Sequence, residues 1–419
     1  MTLETLTDSE LTATLAALAL LLASAFLVGT LLEKAKAPRV VGEIMGGLLL
    51  GGSCLYHFFP DAMGSIFLAY GQEGKVLNIF YQMGLIFLMF LSGYNTKLKI
   101  DCENGKTMGC VFIGATVLPM AAAIPFVPLF QRAFIGEKDN LIAYGLVFVI
   151  GVAITSIPVI SKIFFDMGIM NTKFSDTVLT VSTFQDLCLW ILLNAATRIA
   201  SSGELKLLDM AGVVLVTLGL FAAVKAVSDH AHACKKAIKP IDFYSVSFIL
   251  LLLVCAVLYM AGINIMYAAF LVGYVVKAAV GADRETKARM EALGNFAFSF
   301  FIPIYFALVG IQLNLLHNFS PLRFCLFFLM AFGLEAIGTL LMLQFTEVSF
   351  RTKINFAVTM NARGGPGIVL ATVAYSYGII SVEFFTVLIL TTMLSSLLAG
   401  YWLRRQQKKD AAVFMDFRK

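Results

Sequence analysis

The stretch Ser182–Trp190 reads S-T-F-Q-D-L-C-L-W and lies inside a long apolar run, Thr177–Ala196. Asp186 falls near the middle of this run. A carboxylate at bilayer depth costs roughly 2.5 to 3.5 kcal/mol, so it normally faces a bundle interior or a watery cavity and marks an ion or proton path. In a soluble protein the same residue would be a core Asp with satisfied hydrogen bonds. The choice depends on whether the chain lies in a membrane.

The composition places the chain in the membrane class. Hydrophobic residues make up 59% of the 419 residues and charged residues only 14%, whereas a soluble domain has about 25% charged residues. The seven Cys contain no C-x-x-C pair and form no ligand-like cluster with His, so we expect small core residues instead of a disulfide or zinc framework. His230 and His232 stand two apart in a basic loop, where metal binding is the less favoured interpretation.

Apolar runs long enough to span a bilayer number thirteen. Their approximate bounds are 11–32, 40–56, 77–94, 108–130, 141–164, 174–197, 207–227, 243–261, 265–280, 296–313, 322–345, 354–374 and 384–403. Acidic residues precede the first run, which argues for a retained span and against a cleaved signal peptide. The polar segment Asp283–Leu293 is predicted to be a short helix at the inner interface.

The distribution of basic residues predicts the orientation. With the amino terminus outside, the inward segments hold 24 of the 31 Lys and Arg residues and the outward segments hold six, as the positive-inside rule requires. We expect an integral protein of the bacterial inner (plasma) membrane with a cytoplasmic carboxyl terminus. The net charge of +5 then reflects this bias, and no nucleic-acid partner is implied.

Two of the predicted spans are interrupted. The fifth contains V-A-I-T-S-I-P-V-I-S-K and the twelfth contains M-N-A-R-G-G-P-G-I-V-L-A. Their breaking and polar residues are Thr155, Ser156 and Pro158 in the fifth, and Asn361, Arg363, Gly364 and Pro366 in the twelfth. Pro and Gly weaken a helix, and opened backbone at bilayer depth must be covered by protein or line a cavity. A simple proline kink explains the fifth span about equally well, but it fits Arg-Gly-Gly-Pro-Gly poorly.

The segments after these breaks resemble each other. Aligning Gly168 with Gly378 places Asp186 on Ser396, and the breaks lie seven spans apart, so the repeats are inverted. Paired interrupted spans in inverted repeats indicate the substrate site of a secondary transporter, because their helix ends offer carbonyls to a cation and N–H dipoles to a counter-charge.

Asp186 has the chemistry that cation/proton exchange requires. Its carboxylate can accept a proton or coordinate a dehydrated monovalent cation, and competition between the two is the minimum mechanism. Gln185, Thr155, Ser156 and freed backbone carbonyls can complete an oxygen shell for Na+ or K+. We therefore expect a monovalent cation at Asp186 and Thr155, with Na+ or K+ and H+ as substrates and no cofactor.

Three further charges lie within the spans. Arg363 is expected to neutralise the exposed carbonyl ends of the twelfth span in preference to contacting the ion. Glu335, in F-G-L-E-A-I-G, could pair with Arg363, titrate as a second proton site, or face a cavity, and the sequence does not rank these roles. Glu43 is expected to make a helix-end or interhelical hydrogen bond.

Taken together, these residues resemble the monovalent cation:proton antiporter-2 family, which includes potassium efflux transporters, plant cation/proton exchangers and bacterial sodium/proton antiporters. The matching segments are Pro38–Glu43, Gly84–Gly93, Thr155–Val159, Phe184–Asp186, Phe301–Pro303 with Val309–Gly310, and Asn361–Gly364. The resemblance implies an all-α sodium/proton antiporter fold in which Asp186 carries the ion, and a homodimer. It also implies one transporter domain over 1–405, with core helices at about 77–200 and 296–403, dimerisation helices at about 11–56 and 207–280, and a cytoplasmic tail at 406–419.

The chain departs from the family pattern at three positions. Many sodium/proton members have a second Asp where this chain has Gln185. The Gln-Asp form resembles the potassium-efflux branch of the family. Glu335 stands three residues before Gly338, where many members have a Lys that pairs with that Asp. Gly367 stands where an acidic residue often follows the Asn-Ala-Arg-Gly motif. We also expect no carboxyl-terminal nucleotide-binding domain of the kind common in the potassium-efflux branch.

The sequence therefore predicts a secondary antiporter that exchanges Na+ or K+ for H+, electroneutrally, by alternating access at Asp186. The alternatives are a cation channel, an organic-anion symporter in which Arg363 binds the substrate carboxylate, and a sensor built on a transporter fold. An enzyme is not expected, because the spans contain no paired-Asp, HExxH or Ser–His arrangement.

Overall fold

The computed structural model describes residues 6–67, 71–95, 104–170, 172–203, 215, 219, 240–260, 263–280, 284–410 and 414. Over these residues the chain is mainly helical. An isolated antiparallel bridge joins Ile135 and Ile380, and Val348 is a further bridge position.

The helices are bounded as follows: α1 Asp8–Lys34, α2 Arg39–Leu50, α3 Leu55–Phe58, α4 Pro60–Phe67, α5 Gly71–Asn95, α6 Gly105–Phe112, α7 Leu118–Ala123, α8 Val127–Phe134, α9 Leu141–Val152, α10 Ile157–Asp166, α11 Lys173–Ser202, α12 Pro240–Met260, α13 Ile265–Val280, α14 Arg284–Ser299, α15 Phe301–Gln312, α16 Pro321–Leu343, α17 Phe350–Met360, α18 Gly364–Ser376 and α19 Val382–Lys409. A π-helical turn, Ile113–Val117, joins α6 to α7, and a 3₁₀ turn, Ile124–Phe126, joins α7 to α8.

The protein is an all-α polytopic membrane protein, as predicted. Among the described residues, nine helical segments are long and apolar enough to cross a membrane, and two shorter apolar helices, Tyr244–Met260 and Ile265–Lys277, accompany them. Twelve of the thirteen predicted spans fall on helices. The remaining one, 207–227, lies outside the described residues except for Leu215 and Gly219, as do His230 and His232.

The segment Asp283–Leu293 does not form the separate short helix that its polarity suggested. The helix α14 begins at Arg284 and continues through Gly294 and Asn295 to Ser299. The interruption comes at Phe300, just before Pro303, which has no N–H to offer the carbonyl four residues earlier.

The described residues form two compact units. One takes its residues from Met1–Tyr94, Val224–Cys255 and Ala269–Phe319. In this unit α1, α2 and α15 pack closely, because Gly47 lets the backbone of α2 touch the carbonyl of Ala307. The predicted division into core and dimerisation helices stays a prediction.

The other unit takes its residues from Asn95–Ala223, Ala256–Ala268 and Ser320–Lys419, and it contains both predicted breaks. The inverted repeat is visible in its backbone. Gly168 and Gly378, which the sequence aligned, follow the half-helices α10 and α18 and both adopt left-handed φ angles, 69° and 66°. Each is followed by a long helix with a hydroxyl N-cap, Thr172 for α11 and Ser381 for α19.

Candidate functional site

The first break is a true interruption and not a proline kink. The helix α9 ends at Val152, the chain leaves the helix over residues 153–156, and α10 begins at Ile157. The Ser156 hydroxyl caps α10 by accepting from the Val159 N–H at 3.4 Å. Pro158 stands in the first turn, where its missing N–H costs no intrahelical bond.

The second break lies between α17 and α18, at residues 361–363. Asn361 closes α17 by donating from its side chain to the Ala357 carbonyl, at 3.0 Å. Gly364 begins α18 with a φ of 34°, and its N–H donates to the Ser396 hydroxyl at 3.1 Å. Pro366 follows within the first turn, where no N–H is needed.

The two breaks cross and satisfy each other's backbone. Three hydrogen bonds join them: Ser156 N–H to the Ala362 carbonyl at 2.7 Å, Thr155 hydroxyl to the Met360 carbonyl at 2.6 Å, and Arg363 guanidinium to the Val152 carbonyl at 2.8 Å. Opened backbone at bilayer depth is thereby covered by protein, as a membrane interior requires.

Glu335 lies at this crossing. Its Oε2 accepts from Arg363 at 2.8 Å, and its Oε1 accepts from the Thr155 hydroxyl at 3.4 Å. The Glu335 side chain is fully buried and that of Arg363 is 1% exposed. Arg363 also contacts the Asn361 side-chain oxygen at 3.2 Å. Of the three roles left open by the sequence, pairing with Arg363 is the one whose contacts are present.

Asp186 lies on α11, beside the first break and α18. The residue is 1% exposed, and its Oδ2 has no hydrogen-bond partner within the described part of the chain. It borders a narrow apolar cleft to which the first break contributes Ile154 and α18 contributes Leu370; the other lining residues are Ile150, Leu189, Trp190 and Leu193. A buried oxygen without a donor is costly, so this carboxylate is suited to a bound proton or cation.

Gln185 connects α11 to the first break. Its side-chain amide donates to the Ala153 carbonyl and, at 3.3 Å, to the Ala115 carbonyl in the π-helical turn. Its own oxygen has no partner among the described residues. Thr155 and Ser156 are hydrogen-bonded to the second break, so their place in an ion shell with Asp186 stays a prediction.

The sequence did not single out two buried hydroxyls near Gln185. Ser182 precedes Asp186 by one helical turn, so an i, i+4 pattern could have indicated it. Thr116 follows the Ala115 carbonyl that Gln185 binds, and no local pattern identifies it. Neither hydroxyl has a hydrogen-bond partner in the described structure.

Glu43 is outside this site. It pairs with Arg39 one turn earlier in α2, at 3.0 Å. The described residues also contain no group of three or more His, Cys, Asp or Glu that could hold a metal ion. A monovalent cation at Asp186 would instead be the transported substrate, bound by oxygens.

A bundle of apolar helices with two broken helices that cross beside a buried carboxylate is the architecture of a secondary transporter. The family described as sodium/hydrogen exchanger, transmembrane, matches residues 22–408, and the chain belongs to that family. The resemblance inferred from the sequence motifs is thus confirmed, and the family is one of transporters.

Curated relatives are 22% to 24% identical to this chain over the aligned residues. Cation/H(+) antiporter 17 of Arabidopsis thaliana is 22% identical over 379 residues, which cover 88% of this chain and 45% of the plant protein. K(+)/H(+) antiporter 1 of Saccharomyces cerevisiae is 24% identical over 86% of this chain and 42% of its own length. The chain spans less than half the length of these two relatives. The Na(+)/H(+)-K(+) antiporter GerN of Bacillus cereus is 23% identical over 92% of this chain and 95% of its own length.

The fold is that of a solved antiporter. The sodium proton antiporter MjNhaP1 from Methanocaldococcus jannaschii superposes with a TM-score of 0.60 over 97% of this chain and 99% of its own, at 16% identity. The predicted sodium/proton antiporter fold is confirmed.

Proposed function

We propose that the protein exchanges a monovalent cation, Na+ or K+, for H+ across the membrane by alternating access at Asp186. The observation that carries this proposal is the position of Asp186: a buried carboxylate with an unpartnered oxygen, next to the first break and α18. The names of the relatives, which include cation/H+, K+/H+ and Na+/H+ antiporters, support the same substrates.

The surrounding charges favour one-for-one exchange. Glu335 and Arg363 form a buried pair whose charges cancel; Oε2 of Glu335 accepts from Arg363 at 2.8 Å, and Oε1 lies 3.4 Å from the Thr155 hydroxyl. Gln185 is neutral. Asp186 is then the one carboxylate at the site with a free oxygen in the described structure, and it holds either one proton or one monovalent cation. The exchange is therefore electroneutral.

The proposal includes the protein's setting. The chain lies in the bacterial inner membrane with its amino terminus outside and its carboxyl terminus in the cytoplasm, because that orientation places most Lys and Arg inside. It works as a homodimer in contact with membrane lipid. The core helices at about 77–200 and 296–403 move against dimerisation helices at about 11–56 and 207–280.

Arg363 gives less support to an organic-anion symporter. Its Nη2 atom binds the Glu335 carboxylate and the Val152 carbonyl, so an internal carboxylate already compensates the guanidinium charge. The remaining candidates, a channel and a sensor, differ from an antiporter in flux. A channel would conduct cations without obligatory proton movement, and a sensor would show no flux with Asp186 intact.

The test uses purified protein in proteoliposomes that contain a pH-sensitive dye. Na+, K+, Li+ and Rb+ are added in turn, and proton movement is recorded for the wild type, Asp186→Asn and Asp176→Asn. Asp176 is a matched control because it lies in the first turn of the same helix. We expect Asp186→Asn to abolish exchange and Asp176→Asn to retain it. Exchange that survives in Asp186→Asn overturns the proposal.

A further inference from the structure

Pro119 removes the N–H that would serve a backbone carbonyl if the fourth predicted span were a continuous α-helix. In an α-helix, the N–H of residue 119 would donate to the Ala115 carbonyl, and proline has no N–H. The helix accommodates this by widening to a π-helical turn at Ile113–Val117, a feature that occurs frequently at functional sites. The Ala115 carbonyl instead accepts from the Gln185 side chain at 3.3 Å.

The same amide nitrogen binds a second carbonyl that lost its helical donor, that of Ala153 in the first break. Carbonyls only accept hydrogen bonds, so the Gln185 nitrogen must face both of them. The amide is planar, and its oxygen therefore points away from them. Gln185 is fully buried, and that oxygen has no partner in the described part of the protein.

Thr116, in the same π-helical turn, supplies an independent observation. Threonine hydroxyls in the helices of this protein usually donate to the carbonyl four residues earlier, as Thr177, Thr183 and Thr359 do at 2.5–2.9 Å. Thr116 is 2% exposed, yet its hydroxyl has no partner among the described residues. A buried hydroxyl without a partner carries a desolvation cost that a ligand would remove.

We propose that the π-helical turn Ile113–Val117 is a specificity element of the cation site. Pro119 acts as a positioning residue: it frees the Ala115 carbonyl, which orients the Gln185 amide so that its oxygen is offered to a dehydrated monovalent cation held at Asp186. The Thr116 hydroxyl is a second neutral oxygen ligand. This inference rests on the proposed cation/proton exchange and names part of its ligand set.

The test compares Pro119→Ala with Pro125→Ala, an exposed proline in the same span, in the proteoliposome assay. Alanine restores the N–H at position 119, which competes with Gln185 for the Ala115 carbonyl and loosens the amide. We expect the KM for the preferred cation to rise about tenfold, the effect of weakening one hydrogen bond to a ligand. We also expect the preference among Na+, K+, Li+ and Rb+ to flatten while kcat changes less than about twofold. Pro125→Ala leaves both unchanged.

Two further variants separate positioning from a general structural effect. Thr116→Val keeps the shape of the side chain, removes the hydroxyl, and raises the cation KM with an altered ion preference. In a Gln185→Met background, Pro119→Ala has no further effect on KM, because the amide it acts through is gone. An equal effect of Pro119→Ala in both backgrounds overturns the positioning role.

Failure of this inference is distinguishable from failure of the proposed function. If Asp186→Asn abolishes exchange while Pro119→Ala and Thr116→Val leave KM and ion preference unchanged, the π-helical turn has no part in the site. If Asp186→Asn retains exchange, the proposed function itself is wrong.

Discussion

The Arg363 guanidinium lies 2.8 Å from the Glu335 carboxylate, and neither side chain is more than 1% exposed. Removing one partner of a buried pair leaves an uncompensated charge, which typically costs about 3 to 5 kcal/mol. Arg363 also donates to the Val152 carbonyl at the first break. Loss of the ion pair would therefore destabilise the crossing of the two breaks. The pair is thus a structural connection between three helices.

We predict that Glu335→Gln strongly lowers the thermal stability of the purified protein in detergent. Glu383→Gln is the matched control: its partner Arg323, at 3.0 Å, is 44% exposed, and exposed pairs contribute about 0 to 1 kcal/mol. The double variant Glu335→Met/Arg363→Met should cost less than the sum of its single variants, since no charge is then left unpaired. Additive losses, or an equal effect of Glu383→Gln, would contradict this interpretation.

The second prediction concerns stoichiometry. In the proposed mechanism Glu335 stays paired with Arg363 and only Asp186 exchanges its ligand, so we predict that one proton moves for each monovalent cation. Exchange in proteoliposomes should then proceed at the same rate, and reach the same end point, with and without an imposed potential set by a K+ gradient and valinomycin. For this experiment the exchanged cation is Na+ or Li+, so that the potential and the substrate are independent. A shift of the end point with potential would show that a second group titrates.

The sequence was sufficient for those parts of the fold that local chemistry decides. Long apolar runs predict helices in a membrane, and clustered Pro and Gly at 158 and 364–367 predict the two breaks. Asp186 could be selected as the candidate site residue because a carboxylate is rare and costly within an apolar run. The repeat predicted by aligning Gly168 with Gly378 is also present in the backbone, because both glycines adopt a left-handed conformation.

The parts that the sequence could not decide depend on partners far apart in the chain. Glu335 had three open roles, because its pairing with Arg363 follows from how α16 packs on the second break. A separate close approach, between Gly338 of α16 and Gly114 of the π-helical turn, packs α16 against the fourth predicted span, and no local pattern predicts it either. In the same way, Pro119 signals a disturbed helix, but only the structure shows that Gln185, in another span, takes the freed carbonyl.

The third prediction tests the backbone of the second break. Gly364 has a φ of 34° and a Cβ added there would overlap the side chains of Val159 and Ser156. Gly364→Ala should therefore lower stability by at least about 2 kcal/mol, from backbone strain and overpacking together. Gly333→Ala, in open space within α16, should be neutral or stabilise by about 0.5 to 1 kcal/mol. Thermal unfolding of both variants measures whether stability falls in Gly364→Ala and is kept or raised in Gly333→Ala. A stable Gly364→Ala protein would show that the second break does not require glycine at this position.

The last prediction concerns Phe414, in the segment expected from sequence to be a polar tail. Its ring is fully buried and lies 5.3 Å from the ring of Phe174, at 73°. Phe174 in turn contacts Phe356 of α17 at 4.5 Å. Phe414 therefore belongs to the apolar core around the predicted cytoplasmic ends of α11 and α17, and its removal leaves a cavity there.

We predict that Phe414→Ala costs about 3 to 5 kcal/mol, as truncation of a buried Phe does. Phe345→Ala makes the same substitution at a side chain that is 66% exposed, so we expect it to lower stability much less. The coupling between Phe414→Ala and Phe174→Leu should be about 0.5 to 1.5 kcal/mol if the two rings interact directly. Thermal unfolding of the wild type, the three single variants and the Phe414→Ala/Phe174→Leu double variant in one detergent measures each of these differences. Equal stability of Phe414→Ala and Phe345→Ala would show that the carboxyl-terminal segment does not contribute to this core.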